Sequence, residues 1–331
     1  EDLFGALETY RAFEQQSPGA NNTLVMGPWK HGGWSRTQGT HHGDVSFGQA
    51  TSRFYQEKIE LPFFQHHLKD APAATVTEAW IFETGTNVWH RYRSWPPPGT
   101  RSSSYFFGAN GTLTQQPSTS EETAFAQYLS DPNKPVPYMD THAVRINKNY
   151  MSADQRFAAR RPDVVVFATE ALTQDVRLAG SVVADLWVST SGSDADFIVK
   201  LIDVYPADYK DPSPNPRKVH MGGYQQLVRA EVIRGKYRNS FVSPAPFVPN
   251  QPTRVRLKLP AVSHAFRPGH RMMVQVQSSW FPLVDRNPQV FTNIYAASAS
   301  DFRSATVRIY HDALRPSHIN VTLAPSPTSA P

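Results

Sequence analysis

Residues 24–32 read Leu-Val-Met-Gly-Pro-Trp-Lys-His-Gly, and this stretch decides how the first part of the chain is interpreted. Leu24–Met26 is a short apolar run, which is typical of a buried strand. His31 follows on a loop in which Pro28 restricts the backbone and Trp29 can anchor the turn. A histidine titrates near neutral pH, so one held rigidly past the end of a strand suits a general base. We therefore predict that His31 is catalytic, although without that context such a histidine is more often a plain surface residue.

The residues around this loop have a helical pattern up to about residue 70. A first helix is predicted by apolar residues at three-to-four spacing, namely Leu3, Phe4, Leu7 and Tyr10. Residues 47–68 predict a second helix, which Pro62 kinks or divides in two. Helix, strand, loop and helix in this order fit the last part of an α/β sheet. We therefore treat residues 1–70 as one unit.

From about residue 71 the pattern changes to short β-rich runs separated by turn residues. Several runs alternate apolar and polar residues, as half-buried antiparallel strands do. The predicted strands are residues 76–82, 88–95, 103–107, 163–169, 176–188, 197–205, 225–233, 253–259, 271–277 and 305–310. Nine or ten strands without helices between them predict a β-sandwich over residues 71–323, most simply a jelly roll. Residues 132–159 are expected to form a long surface excursion, and residues 324–331 a disordered tail.

The composition excludes several classes of protein. The formal net charge of the 331 residues is +5, but the basic residues are scattered, which argues against nucleic-acid binding. The absence of cysteine excludes disulfides, thiolate metal sites and cysteine nucleophiles. No apolar run reaches the roughly 18 residues that a membrane span requires. The first residues, Glu-Asp-Leu, look like the middle of a helix, so we expect the chain to be the C-terminal piece of a longer protein.

Two groups of polar residues invite a functional interpretation. Glu1 and Asp2 are adjacent carboxylates, which at a helix start usually serve the helix dipole. The alternative is a negatively charged pocket for a substrate ammonium group. Residues 41–44, His-His-Gly-Asp, suggest a metal, but their spacing matches no ligand signature, and we predict neither metal nor cofactor. The chain also lacks Gly-x-Ser-x-Gly, so it contains no nucleophile elbow.

Residues 24–31 resemble the catalytic-histidine loop of the α-amino acid ester hydrolases, which belong with the cocaine esterase-type and X-prolyl dipeptidyl peptidase-type α/β-hydrolases. The similarity continues through residues 154–164, which look like the entry into the family's jelly-roll domain. Residues 201–206 and 278–288 also look like family segments. The resemblance implies the C-terminal segment of an α/β-hydrolase domain followed by an all-β jelly-roll sandwich.

The resemblance also implies roles for individual residues. His31 would be the base of a Ser-His-Asp triad whose serine and aspartate are missing from this chain. Glu1 and Asp2 would belong to a carboxylate cluster that binds the α-ammonium group of the substrate. Tyr138, in the long excursion, is our candidate for a further substrate contact. Three more aromatic residues either line the acyl pocket or simply pack in the core, namely Trp29, Trp34 and Trp280.

The implied activity is that of a serine hydrolase or acyltransferase for α-amino acid esters and related β-lactam amides. Its partners would be these small molecules and the missing N-terminal catalytic portion. The family further suggests a homotetramer and a periplasmic or secreted bacterial location, while the lack of cysteine also fits the cytoplasm. The alternatives are a dipeptidyl peptidase, a glutaryl-type acylase or a general carboxylesterase of the same fold, or a non-catalytic β-sandwich binding module. A substrate panel separates the enzymes, and glycan binding would favour the module.

Overall fold

The first part of the chain combines helices with a small sheet. The computed structural model describes residues 2–72, 77–141 and 145–325, leaving out the side chain of Asp2. Up to residue 92 the elements are α1 (Asp2–Gln16), β1 (Leu24–Met26), α2 (Gly33–Arg36), β2 (His41–His42), β3 (Val45–Ser46), α3 (Thr51–Tyr55), a π-helical turn (Gln56–Glu60), α4 (Leu61–Lys69), β4 (Ala79–Glu83) and β5 (Val88–Tyr92). The first helix and the strand before His31 are thus where the sequence predicts them.

The strands β1, β4 and β5 form one three-stranded sheet. β1 runs parallel to β4, and β4 is antiparallel to β5. α1 covers this sheet, because its buried Leu7 and Tyr10 pack against Leu24 and Ile81. The sequence interpretation assigns β4 and β5 to the second unit, which it starts at residue 71. The alternation of residues within a strand identifies its buried face but not the strand with which it pairs. The observed pairing of β4 and β5 with β1 extends the first sheet to Tyr92.

The second helical region runs from Thr51 to Lys69 without a break in the helical backbone. A wide π-helical turn, Gln56–Glu60, lies directly before Pro62. Proline has no N–H to donate to the preceding turn, and a π turn is one way in which a helix absorbs such a defect. Pro62 therefore does not divide the helix in two, and the π-helical turn accommodates it. The apolar residues of α4 remain half or more exposed at Phe64 and Leu68.

The rest of the chain is almost entirely β-structure. Its strands are β6 (Arg101–Phe107), β7 (Leu113–Thr114), β8 (Phe125–Ser130), β9 (Val164–Ala168), β10 (Val176–Thr190), β11 (Asp196–Val204), β12 (Gln225–Arg234), β13 (Thr253–Phe266), β14 (Arg271–Gln277), β15 (Ala305–Tyr310) and β16 (His318–Leu323). One short helix, α5 (Arg156–Ala159), and several 3₁₀ turns connect them. All the predicted strands are present, and β7, β8 and β16 are additional.

These strands form two facing sheets with the largest apolar core between them. One sheet has the order β7-β6-β16-β10-β15-β8, with β13 also paired to β10, and the other has the order β12-β11-β14-β9. Alternate residues of β11, such as Phe197 and Val199, point into this core. The opposite face of β11 is also buried, because the excursion that contains Tyr138 covers Ile198 and Ile202. Burial on both faces explains the nearly continuous apolar sequence of β11.

Polar side chains join the first sheet to the sandwich. Arg177 of β10 donates through Nε to both carboxylate oxygens of Glu83, at 3.1 and 3.0 Å. Thr84 Oγ1 lies 2.8 Å from His264 Nδ1, and His264 Nε2 lies 3.2 Å from Asp203 Oδ2. His270 reaches the second oxygen of Asp203 at 2.8 Å. The buried ends of the two units are therefore fixed to one another by charged and hydrogen-bonded groups.

The structure tests two other expectations from the sequence only in part. Residues 326–331 of the predicted disordered tail lie outside the described residues, and residues 324–325 are described. Between Asp131 and Asp163 the described part of the excursion contains no strand, as predicted. Of the described helices, none combines the length and apolar character that crossing a membrane requires.

Candidate active site

The loop that carries His31 is shaped by glycine and tryptophan. At Gly27, a Cβ atom would lie 2.3 Å from the Trp29 ring, so this position accepts no larger side chain without displacing the ring. Gly32 adopts a left-handed backbone, with φ of 73°, which is readily accessible to glycine. The chain then turns at once into α2. The motif residues on both sides of His31 therefore serve the tight turn.

Trp29 anchors the loop to the second helical region. Its Nε1 donates to Thr51 Oγ1 at 2.8 Å, and the Thr51 hydroxyl donates to the Gly39 carbonyl at 2.7 Å. The Trp29 ring also packs against Tyr55 and Trp89, with ring centroids 5.3 and 5.8 Å apart. Trp29 is half-buried, and with its N–H satisfied and its ring packed on two sides it is a rigid anchor. His31 is consequently held by a loop that is fixed at both ends.

His31 lies at the mouth of a large cleft. Its side chain is exposed, and its ring makes an edge-on contact with Trp34 at a centroid distance of 6.1 Å. The cleft has a volume of about 640 Å³ and runs between the His31 loop and the sandwich. Its walls contain α1 residues, the loop from Gly27 to His31, and residues 226–231 of β12. A space of this size accommodates a small organic substrate.

Aromatic residues and one arginine form the sandwich side of the cleft. Tyr150 and Trp280 line it and pack against each other at 5.6 Å. Arg229 also lines it and donates to the Ala261 carbonyl at 3.1 Å. Burial lowers the pKa of Arg229 to about 10, and the charge of Glu231 acts in the opposite direction. This wall can therefore hold a flat apolar group and offers a cation beside it.

Several polar atoms of the cleft are buried without a hydrogen-bond partner among the described residues. They are His42 Nε2, Trp95 Nε1, Arg229 Nε, Ser263 Oγ and Trp280 Nε1, and each of their residues lines the cleft. Leaving such a group buried and unpaired costs about 1–3 kcal/mol. Several such unpaired atoms in one cleft are expected where a surface binds a ligand or is covered by another part of a protein.

The predicted site residues occupy different positions relative to this cleft. His31, Trp29, Trp34 and Trp280 line it. Tyr138 is buried behind it, where its hydroxyl accepts from the Asn147 N–H at 3.0 Å and its ring contacts Tyr150. Glu1 and the side chain of Asp2 lie outside the described residues, although α1 residues from Leu3 onward border the cleft. Tyr138 therefore supports the aromatic wall from behind.

Sequence reasoning missed His42, Tyr150 and Arg229 as cleft residues. Tyr150 lies in the excursion, which has no periodic pattern, and Arg229 sits in a strand whose alternation reveals its face but not what that face meets. His42 was considered only as a metal ligand. Among the described residues, no group of three or more histidine, cysteine or carboxylate side chains has a metal-binding arrangement.

Comparison with known proteins identifies the larger part of the chain. Residues 66–320 match the model of the X-Pro dipeptidyl-peptidase C-terminal non-catalytic domain. The chain belongs to this family. The family model begins at residue 66, so the His31 loop precedes the X-Pro dipeptidyl-peptidase C-terminal domain.

Comparisons with individual proteins extend over the His31 loop as well. The chain is 33% identical over 324 residues to the cocaine esterase of Rhodococcus sp. (strain MB1 Bresler), an alignment that covers 94% of the chain and 53% of the esterase. An aminopeptidase from the marine sediment archaeon Thaumarchaeota archaeon matches 98% of it, with a TM-score of 0.90 and 41% identity. An α-amino acid ester hydrolase also matches 98%, with a TM-score of 0.89 and 39% identity. The chain spans about half the length of these proteins.

Proposed function

We propose that this chain is the C-terminal part of a serine hydrolase and acyltransferase that acts on α-amino acid esters and related β-lactam amides. In this proposal the first unit completes an α/β-hydrolase domain and the sandwich is its jelly-roll domain. The nucleophilic serine and the triad aspartate belong to an N-terminal portion. The observation that carries the proposal is the rigid loop that holds His31 at the mouth of the cleft, directly after a parallel strand.

The chemistry assigned to His31 is proton transfer. The serine oxygen attacks the carbonyl carbon while His31 accepts the hydroxyl proton. His31 then donates this proton to the departing alcohol or amine as its bond to the carbonyl carbon breaks. Water or an amine next attacks the acyl-enzyme, again with His31 as base. The anchoring of Trp29 supports this role, because a general base must keep its position through both steps.

A free α-amino group on the acyl part is the proposed basis of specificity. Glu1 and Asp2 would attract the ammonium group, and one charge pair about 4 Å apart contributes roughly 4 kcal/mol at an effective dielectric near 20. The solved structures that are similar to this chain include an α-amino acid ester hydrolase and an aminopeptidase. Both names describe substrates with an amino-acyl group, which supports this class over plain esters.

The test uses the full-length protein, with alanine methyl ester and propionic acid methyl ester as a matched substrate pair. We expect the amino ester to be preferred in kcat/KM. The substitution His31→Ala should lower kcat by about 10⁴-fold or more, because it removes the proton carrier. The exposed helical His67, replaced by alanine, is the matched control and should retain activity. Near-normal turnover by His31→Ala would contradict the catalytic assignment, and equal use of both esters would contradict the substrate class.

A further inference from the structure

His42 belongs to a short hairpin that touches the sandwich beside the cleft. It forms β2 with His41, and its ring is buried, with 9% of the residue exposed. His42 Nδ1 lies 2.7 Å from Ser152 Oγ, and both residues line the same cleft as His31. The next residue, Gly43, has a left-handed backbone, and a Cβ atom there would lie 2.9 Å from Ser152 Oγ. The missing side chain thus lets Ser152 approach the histidine.

The hydrogen bonds of Ser152 determine which nitrogen of His42 carries the proton. Ser152 Oγ also lies 3.0 Å from the backbone carbonyl oxygen of His42, which can only accept. The serine has one hydroxyl proton, so it donates that proton to the carbonyl. Its oxygen must then accept from Nδ1–H of the ring. Both contacts are satisfied only if His42 is protonated on Nδ1, which leaves a lone pair on Nε2.

The lone pair on Nε2 is buried and has no partner among the described residues. It cannot be satisfied by protonation near neutral pH, because burial, together with the charges of Lys30 and His41, lowers the pKa of His42 to about 4. The ring is therefore a neutral acceptor in the wall of the cleft. A buried acceptor of this kind gains most from a hydrogen-bond donor that enters with a ligand.

The surroundings of His42 favour a neutral donor over an ammonium group. Lys30 is close enough to affect its titration, and a second cation would be repelled. The neighbouring carboxylate of Asp44 is already paired with Arg217 at 3.0 Å. Val45 and Phe47 add an apolar surface to this part of the cleft. An uncharged N–H beside apolar groups fits these neighbours.

We propose that His42 Nε2 is a specificity-determining acceptor for an amide N–H of the substrate. The cleft would then bind an amide more tightly than the ester in which oxygen replaces that N–H. This inference rests on the proposed function, since it assigns the same cleft to the substrate. Ser152 is a positioning residue, because it fixes the tautomer of His42 and is not itself assigned a contact with the ligand.

The first experiment measures binding in the full-length protein carrying His31→Ala, so that neither probe is turned over. The probes are alanine benzylamide and alanine benzyl ester, which differ by N–H against O. We expect His42→Phe to weaken binding of the benzylamide about tenfold and to change binding of the benzyl ester by less than about twofold. His42→Gln retains an acceptor and should recover part of the benzylamide affinity. Equal changes for both probes would overturn the proposal.

The second experiment observes the ring nitrogens of His42 by ¹⁵N NMR of the full-length protein. We expect the Nδ1–H tautomer, a change of the Nε2 resonance when alanine benzylamide is added, and mixed tautomers in Ser152→Ala. An Nε2–H tautomer, or an Nε2 resonance that does not change when the benzylamide is added, would overturn the inference. This readout needs no turnover. If His31→Ala stays active while His42 responds, the proposed function fails and the binding assignment stands.

Discussion

Lys200 is a charged residue in the middle of β11 and is completely buried. Its Nζ donates to Gln155 Oε1 at 2.9 Å and lies 5.3 Å from the centre of the Trp280 ring. No carboxylate of the described residues forms an ion pair with it. Burial lowers the pKa of Lys200 to about 7. The folded protein therefore holds a lysine that loses its charge near neutral pH.

Because its pKa is lowered in the folded protein, Lys200 should make the free energy of unfolding depend on pH. Between pH 7 and the ordinary lysine pKa of 10.5, the unfolded chain keeps the proton and the folded protein has released it, so stability rises with pH. The slope is at most about 1.4 kcal/mol per pH unit. Chemical denaturation at pH 7 and 9.5 should show this rise in the wild-type chain and lose it in Lys200→Met. The exposed Lys258, replaced by methionine, is the control and should keep the wild-type slope.

The loop between β1 and α2 depends on the space that Gly27 leaves for the Trp29 ring. Replacing Gly27 by alanine should displace the ring and weaken its bond to Thr51, at a cost of about 1–3 kcal/mol. Because the same loop carries His31, we expect kcat of the full-length protein to fall more than tenfold. Thermal denaturation and turnover measure the two effects. Gly5→Ala is the control, since that helical position has open space and should be stabilised or unchanged. Full activity of Gly27→Ala would contradict this account of the loop.

Elements with a regular internal pattern could be predicted from the sequence. The strands and helices that they pair with or pack against could not. β10 and β11 are predicted by their apolar runs, and α1 by its helical spacing. β16 was missed although His318–Leu323 alternates polar and apolar residues as a half-buried strand does, whereas β2–β3 has only two residues in each strand and carries no such pattern. The pairing of β4 with β1 depends on tertiary contacts. For the same reason His31 was found from its motif, whereas His42 and Arg229 required the fold.

At the scale of the whole molecule, the pair of Glu83 and Arg177 joins the first sheet to the sandwich. Burial alone would raise the pKa of Glu83, but hydrogen bonds from His90, Arg177 and Thr86 outweigh it and lower the pKa to about 2. This stabilisation is complete above the ordinary glutamate pKa of 4.5 and is lost as the pH falls towards 2. The contact between the two units should therefore weaken in acid.

Removal of one partner tests the contribution of this pair. Arg177→Met leaves Glu83 buried without its main cation and should destabilise the protein by about 3–5 kcal/mol at pH 7. The loss should be smaller at about pH 4 than at pH 7, because the buried Glu83 of the variant, without its cation, becomes protonated as the pH falls. Denaturant titrations at both pH values measure it. Arg267→Met breaks an exposed ion pair with Asp175 and should cost no more than about 1 kcal/mol. Similar losses for the two variants would show that burial of the pair is unimportant.

The position of β16 bears on how the protein is made. This strand is the last one among the described residues, yet it lies inside its sheet, between β6 and β10. Ser102 and Asn320, which are hydrogen-bonded across β6 and β16, are 218 residues apart in sequence. Contacts of such separation form slowly, because a long segment of chain must first be brought together. During synthesis on the ribosome, β6 therefore stays without this neighbour until β16, more than 200 residues later, has been made.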